Sequence, residues 1–295
     1  MEISLQTTTI GFIGTGVMGA SMAGHILRAG YRVHVFSRTK AKTSGLCRAG
    51  AVWEDSVKDT AEKSDLIITM VGFPSDVKEV YFGENGILNH ASKNTMVIDM
   101  TTSRPQLAAE IYEQGKKSSV AALDAPVSGG DTGARNADLS IMVGGDKQAF
   151  ETALPVLALM GQNIQYQGPA GSGQHTKIAN QIAIAAGMIG VCESLAYARQ
   201  AGLDPENVLK SIGQGAAGSW SLNNLGPRMI SGDYEPGFYV KHFIKDLVIA
   251  SDSAGSLNLD TPGLNLAKSL YEKLAARNCE NNGTQALFKL FNNAS

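Results

Sequence analysis

The chain has 295 residues, 43% hydrophobic, 18% charged and 6% aromatic, with a formal net charge of −2 at pH 7. That length suits two domains of about 100 to 200 residues each, and the composition excludes a disordered chain. With no block of lysines or arginines, there is no electrostatic footprint for nucleic acid or anionic lipid, so the expected partners are small molecules and further copies of the chain.

The first predicted elements are a strand, a turn and a helix across Thr9 to Leu27, with Gly14-x-Gly16-x-x-Gly19 in the turn. The first glycine permits the tight turn, the second lets backbone approach a pyrophosphate, and the third lets helix pack closely on strand. The helix start then offers N–H groups and a positive dipole end to phosphate. The motif predicts a bound dinucleotide, with Gly14, Thr15, Gly16, Val17, Met18 and Gly19 as its contacts; an ordinary strand-to-helix loop is the alternative. Gly30 closes this helix, and Tyr31 to Phe36 alternates as a second strand should. An acidic residue commonly follows that strand in NAD enzymes. Here no Asp or Glu lies between Glu2 and Glu54, and Arg38, Thr39 and Lys40 stand ready for a 2′-phosphate. NADP is therefore favoured, with NAD held through weaker ribose contacts as the other choice.

Strand-like runs follow at Asp65 to Val71, Met96 to Met100, Ala121 to Ala125, Ser140 to Val143 and Ile164 to Tyr166. Helical stretches lie between them at Lys40 to Arg48, Ser75 to Tyr81, Pro105 to Lys117 and Lys147 to Met160. The alternation predicts an α/β fold, a Rossmann-like, doubly wound parallel sheet ending near residue 170. In Asp124-Ala-Pro-Val-Ser128-Gly129-Gly130, a hydroxyl and bare backbone N–H groups sit at the carboxyl edge of the sheet, either as a nest for a carboxylate or as a flexible turn. After the punctuation of Gly168 to Gly173 the strand patterns stop, and His175 to Gln200 reads as one helix about 40 Å long joining the two domains. Lys177 and Asn180 share one face of it. A lysine among alanines and isoleucines loses hydration and so suits proton transfer, although a solvent-facing lysine is the common alternative. Gly202 ends this helix, Asp204-Pro205 caps the next, and helical patterns over Val240 to Ala254 and Pro262 to Ala276 make the second domain all-α. The expected division is 1–170 for the dinucleotide and 171–295 for substrate and dimerisation.

Three cysteines far apart, Cys47, Cys192 and Cys279, and five scattered histidines argue against a disulfide framework or a metal site, and fit the cytoplasm. The first residues lack the pattern of a secretory signal, and the apolar run Ile182 to Cys192 is short for a bilayer that needs about 20 residues, so no membrane role is expected. A Tyr112-x-x-x-Lys116 pair mimics the short-chain dehydrogenases, but their glycine spacing differs and its helix is polar.

Four motifs in order resemble the β-hydroxyacid dehydrogenase family, which contains 3-hydroxyisobutyrate dehydrogenase and tartronate semialdehyde reductases. They are Gly11 to Gly19, Asp124 to Gly130, Gly171-x-Gly173-x-x-x-Lys177-x-x-Asn180-Gln181, and His242-Phe-Ile-Lys245-Asp246. The resemblance implies a helical second domain and a homodimer or homotetramer with intertwined long helices. It implies Lys177 as catalytic acid/base, Asn180 orienting substrate, and Ser128, Gly129 and Gly130 holding its carboxylate. Thr102 and Lys245 would contact the cofactor, with domain closure completing the site. Ser37-Arg38-Thr39 resembles the Asn-Arg-Thr of NADP-preferring members. Gln181 resembles the tartronate semialdehyde reductases, whereas Trp220 resembles the hydroxyisobutyrate group, where an aromatic would wall the substrate. The expected activity is an NADP-dependent dehydrogenase of a small β-hydroxy acid. The alternatives are a reductase of tartronate or succinic semialdehyde, an imine reductase, against which Lys177 counts, and a non-catalytic NADP sensor.

Overall fold

The strand β1 (Thr9–Ile13) is buried along four of its five residues, and the strands Leu66–Thr69 and Met96–Asp99 beyond it in the sheet are buried throughout. Such runs belong in a parallel sheet covered on both faces. The computed structural model describes residues 3–292 and contains β2 (Arg32–Phe36), β3 (Val52–Trp53), β4 (Leu66–Thr69), β5 (Met96–Asp99), β6 (Ala121–Asp124), β7 (Val127–Ser128), β8 (Leu139–Gly145) and β9 (Gly161–Gly168). They join in the order β3-β2-β1-β4-β5-β6-β8-β7, with β9 paired to β8. From β3 to β6 every pairing is parallel, which is the strand order of a Rossmann domain.

The sequence alone suggests a parallel sheet, but the sheet is mixed. β8 runs antiparallel to both β6 and β7. The ten residues from Gly129 to Asp138 that join β7 to β8 are fewer than a parallel crossover needs. Only two residues long, β3 and β7 are too short to show any alternation in the sequence.

Helices fill both sides of the sheet: α1 (Val17–Arg28), α2 (Ser44–Arg48), α3 (Val57–Glu62), α4 (Pro74–Phe82), α5 (Ile87–His90), α6 (Pro105–Lys117), α7 (Gly130–Asn136) and α8 (Lys147–Leu157). The stretch read as a helix from Lys40 begins as a 3₁₀ turn, Lys40–Thr43, before α2. Alternate strand residues feed two separate cores. Ile10, Phe12, Leu66, Ile68, Met96 and Ile98 join one apolar cluster, while Ile13, Ile67 and Val97 join another on the opposite face.

The chain divides into two compact units, Met1–Lys177 and Ile178–Ser295. The helix α9 (Ser172–Gln200) runs through that boundary. In the second unit follow α10 (Pro205–Ile212), α11 (Trp220–Ser231), α12 (Val240–Ser256) and α13 (Pro262–Leu274), then a 3₁₀ turn at Thr284–Leu290. Gly202, at φ +73°, ends α9, and the Asp204 side chain accepts from the Glu206 N–H to start α10 with Pro205 at its first position. α11 was not anticipated, because Gly226 and Pro227 break its pattern; the Ser219 hydroxyl caps it by accepting from the Leu222 N–H. By length and composition α9 could cross a membrane. Its Ala185, Met188, Ile189, Cys192 and Leu195 are instead buried in the core of the second unit, with Phe243, Tyr271 and Phe288.

Candidate active site

The crevice of an open parallel sheet opens where the strand order reverses, here between β1 and β4. Gly14 leaves β1 at φ +100°, and its N–H donates to the Phe36 carbonyl at 2.9 Å. A Cβ on Gly14 would lie 2.2 Å from the Met70 carbonyl oxygen, and one on Gly19 would lie 1.9 Å from the Gly14 carbonyl oxygen. Only glycine lets α1 start this close to the strand ends. At Gly16 a Cβ would meet nothing within 4 Å, so that glycine keeps space open. No side chain caps α1 and no acid lies in its first turn, leaving its N–H groups and dipole to face an anion. Val17 is exposed, whereas Met18 packs against the core.

At the end of β2, Arg38, Thr39 and Lys40 are all exposed. The Arg38 side chain is 80% exposed, and its Nη1 donates to Asp76 Oδ1 at 3.0 Å. Asp76 also accepts from the Phe73 N–H, which caps α4. Lys40 Nζ stands 4.9 Å over the Trp53 ring, which lies 5.9 Å from that of Phe36.

A buried polar network ties together the ends of β4 and β5. Thr69 Oγ1 donates to Asp99 Oδ1 at 2.8 Å, the Thr101 N–H donates to the same oxygen at 3.1 Å, and Thr101 Oγ1 accepts from the Val71 N–H at 3.0 Å. Burial raises the Asp99 carboxyl from 3.8 to about 6, against the pull of its hydrogen bonds to Thr69 and Thr101. Half-buried Thr102 follows directly. At the end of β6, Asp124 accepts from the N–H groups of Gly171 and Gln174, both at 2.8 Å, and so holds the first turn of α9. Burial also raises its carboxyl, opposed by these backbone donors. Ser128 lies on β7 opposite Ser140, with Gly129 at φ +133° and Gly130 at φ +63° beginning α7. Lys177 is 6% exposed on α9.

In the second unit a chain of polar contacts runs from Asn180 to Lys245. Asn180 Nδ2 donates to Gln181 Oε1 at 2.7 Å, Gln181 Nε2 donates to Asp246 Oδ2 at 2.6 Å, and Lys245 Nζ pairs with Asp246 Oδ1 at 2.9 Å. Asp246 and Gln181 are each 2% exposed. Trp220, at the first position of α11, is 58% exposed. Tyr112 donates to Asp146, and Lys116 Nζ stands 5.9 Å over the Tyr112 ring. Among the described residues no three His, Cys, Asp or Glu side chains gather to hold a metal ion.

Residues 9–168 match the family model for the NAD binding domain of 6-phosphogluconate dehydrogenase, and residues 171–291 match that for the NAD-binding domain of NADP-dependent 3-hydroxyisobutyrate dehydrogenase. The chain is 63% identical over 283 residues to the uncharacterized oxidoreductase YkwC of Bacillus subtilis, covering 96% of this chain and 98% of that one. It is 39% identical to the 2-hydroxy-3-oxopropionate reductase of Escherichia coli, over 94% of this chain and 93% of that protein. The solved 3-hydroxyisobutyrate dehydrogenase of Mycobacterium tuberculosis with L-serine superposes with a TM-score of 0.88 at 30% identity, over 97% of this chain and 99% of that one.

The chain belongs to the β-hydroxyacid dehydrogenase family. It is an NAD(P)-dependent oxidoreductase of hydroxy acids. The dinucleotide used by β-hydroxyacid dehydrogenases fits the residues present: Thr15 Oγ1 is buried without a hydrogen-bond partner at the glycine loop, beside the open space at Gly16. Several residues that hold the site had no signal in the sequence. Asp76, Asp99 and Gln174 reach their partners across 38, 30 and 71 or more residues of chain, and only the fold brings those partners near.

Proposed function

We propose that this β-hydroxyacid dehydrogenase is an NADP-dependent enzyme for a small β-hydroxy acid such as 3-hydroxyisobutyrate, with Lys177 exchanging the proton of the substrate hydroxyl. The observation that carries the reading is the burial of Lys177 on α9, which withdraws an ammonium group from water as proton transfer at a substrate oxygen requires. When bound, the nicotinamide supplies a hydride for reduction and takes one up in oxidation. Lys177 Nζ then gives a proton to the carbonyl oxygen in reduction and takes it from the hydroxyl in oxidation. Asn180 orients the substrate, the Ser128 hydroxyl and the Gly129 and Gly130 N–H groups hold its carboxylate, and Trp220 offers an apolar wall. Gly14, Thr15, Gly16, Val17, Met18 and Gly19 hold the pyrophosphate, Arg38, Thr39 and Lys40 the 2′-phosphate, and Thr102 and Lys245 make further cofactor contacts.

Residues 1–170 are assigned here to the cofactor, and 171–295 to substrate and assembly. A homodimer or homotetramer through α9 is supported by its exposed line of small residues, Ala179, Ala183, Ala186, Gly187 and Gly190. Three free cysteines suit the cytoplasm.

A second reading, a reductase of tartronate or succinic semialdehyde, is supported by the likeness to the 2-hydroxy-3-oxopropionate reductase of Escherichia coli. Initial rates with NADP and NAD against 3-hydroxyisobutyrate, 3-hydroxypropionate, 4-hydroxybutyrate and glycerate, and with both semialdehydes in reverse, decide between the two. Lys177→Ala is expected to lower kcat by about 100-fold or more while cofactor still binds. Unchanged turnover removes the role given to Lys177, and cofactor binding without turnover of any substrate turns the reading to a sensor.

A further inference from the structure

Gln174 is the third residue of α9 and is 0% exposed. Its amide spends both functions on one short piece of backbone: Oε1 accepts from the Ser103 N–H at 2.8 Å, and Nε2 donates to the Thr101 carbonyl at 2.7 Å. Those two groups lie on either side of Thr102. The Gln174 main chain is tied as well, its N–H donating to Asp124 Oδ2 while the Gly171 N–H donates to Oδ1. The helix start also lies directly on the strand ends, since a Cβ on Gly173 would stand 2.4 Å from the Met142 carbonyl oxygen and 2.7 Å from that of Asp124. Lys177 follows three residues later, on the same side of the helix as Gln174.

We infer that Gln174 is a positioning residue of the reaction, locking Thr102 and Lys177 into one rigid body and so fixing the lysine relative to the cofactor held at Thr102. The inference rests on the roles proposed above for those two residues. An amide is the side chain this place requires. The buried Thr101 carbonyl needs a donor and the buried Ser103 N–H needs an acceptor, and Gln supplies both at the length available. A carboxylate would face the carbonyl with a second acceptor, while an apolar chain of the same length would leave both groups unpaired. Hydride and proton must move in one geometry, and a displacement of about 1 Å costs about 100-fold in rate.

The test compares Gln174→Met, which keeps the length and loses both hydrogen bonds, with Gln174→Glu, which keeps the acceptor for Ser103. On the full-length protein, kcat and KM are measured with the preferred hydroxy acid, together with the NADPH dissociation constant and the deuterium isotope effect on kcat. Amide hydrogen exchange is followed at Ser103 in the cofactor-free protein. For Gln174→Met the expected result is a fall in kcat of about 100-fold, with KM and the dissociation constant within about threefold of wild type. A larger isotope effect and faster exchange at Ser103 should accompany it, whereas Gln174→Glu, which loses only the donor to Thr101, should lower kcat and raise the isotope effect with exchange at Ser103 near wild type. If kcat per cofactor-binding site and the isotope effect stay at wild-type values while only the melting temperature falls, Gln174 is merely structural and the inference is overturned. Should Gln174→Met not fold, Gln174→Glu carries the comparison of kcat and isotope effect. Lys177→Ala run alongside separates the two levels. Turnover that survives Lys177→Ala removes the proposed roles and the inference with them, whereas turnover lost there but intact in Gln174→Met overturns the inference alone.

Discussion

One methyl group separates the tasks of the glycines in the phosphate loop. At Gly19 an added Cβ would collide with the Gly14 carbonyl oxygen, so Gly19→Ala should cost about 2 to 4 kcal/mol of stability, read in a denaturant titration. At Gly16 the Cβ would enter open space, so Gly16→Ala should fold with unchanged stability and bind NADPH at least about tenfold more weakly. Arg38 offers a similar separation. Its ion pair with Asp76 is largely exposed and contributes about 0 to 1 kcal/mol, so Arg38→Ala should leave stability nearly unchanged and weaken NADP binding while sparing NAD. Asp99 makes stability depend on pH. Its carboxyl is raised in the folded state to about 6, so between about pH 4 and pH 6 the folded protein binds the extra proton and stability falls as pH rises. Asp99→Asn keeps an acceptor for Thr69 and Thr101 and should abolish that decline, which amounts to about 3 kcal/mol at most. Parallel slopes of melting temperature against pH for the two proteins would refute this account.

Among the elements, α9 is set by its first turn more than by its length. Asp124 accepts from two of the N–H groups that a helix start leaves without intrahelical partners, and Gly173 permits contact that no side chain would allow. Asp124→Asn would aim an amide N–H at one of these donors, with an expected loss of about 1 to 3 kcal/mol in the unfolding free energy. The start of α10 was legible in the sequence at Asp204-Pro205, because that cap signal is local. The helix α11 was not, since Gly226 and Pro227 mask a segment whose Leu222, Leu225 and Met229 join the second core. The strands β3 and β7 were missed for a related reason: two residues have no period, and pairing with β2 and β8 alone makes them strands.

At the scale of the whole molecule, the two units carry separate cores, one divided by the sheet and one built on α9, α12 and α13. Along α9 the exposed line of Ala183, Gly187 and Gly190 lets another backbone come close. Gly187→Glu with Gly190→Glu should convert an oligomer to monomers in sedimentation velocity, and a wild-type chain that sediments as a monomer would refute the assembly proposed here. The sequence by itself determined the glycine loop, the longer strands and helices up to residue 170, the helical second half and the family, because each is written in neighbouring residues or in motifs of fixed spacing. Only the tertiary structure decided that β8 reverses direction, that Asp76 meets Arg38, and that Gln174 grips the backbone around Thr102. Those contacts join residues dozens of positions apart, and which buried donor needs which acceptor is settled only once the strands are side by side.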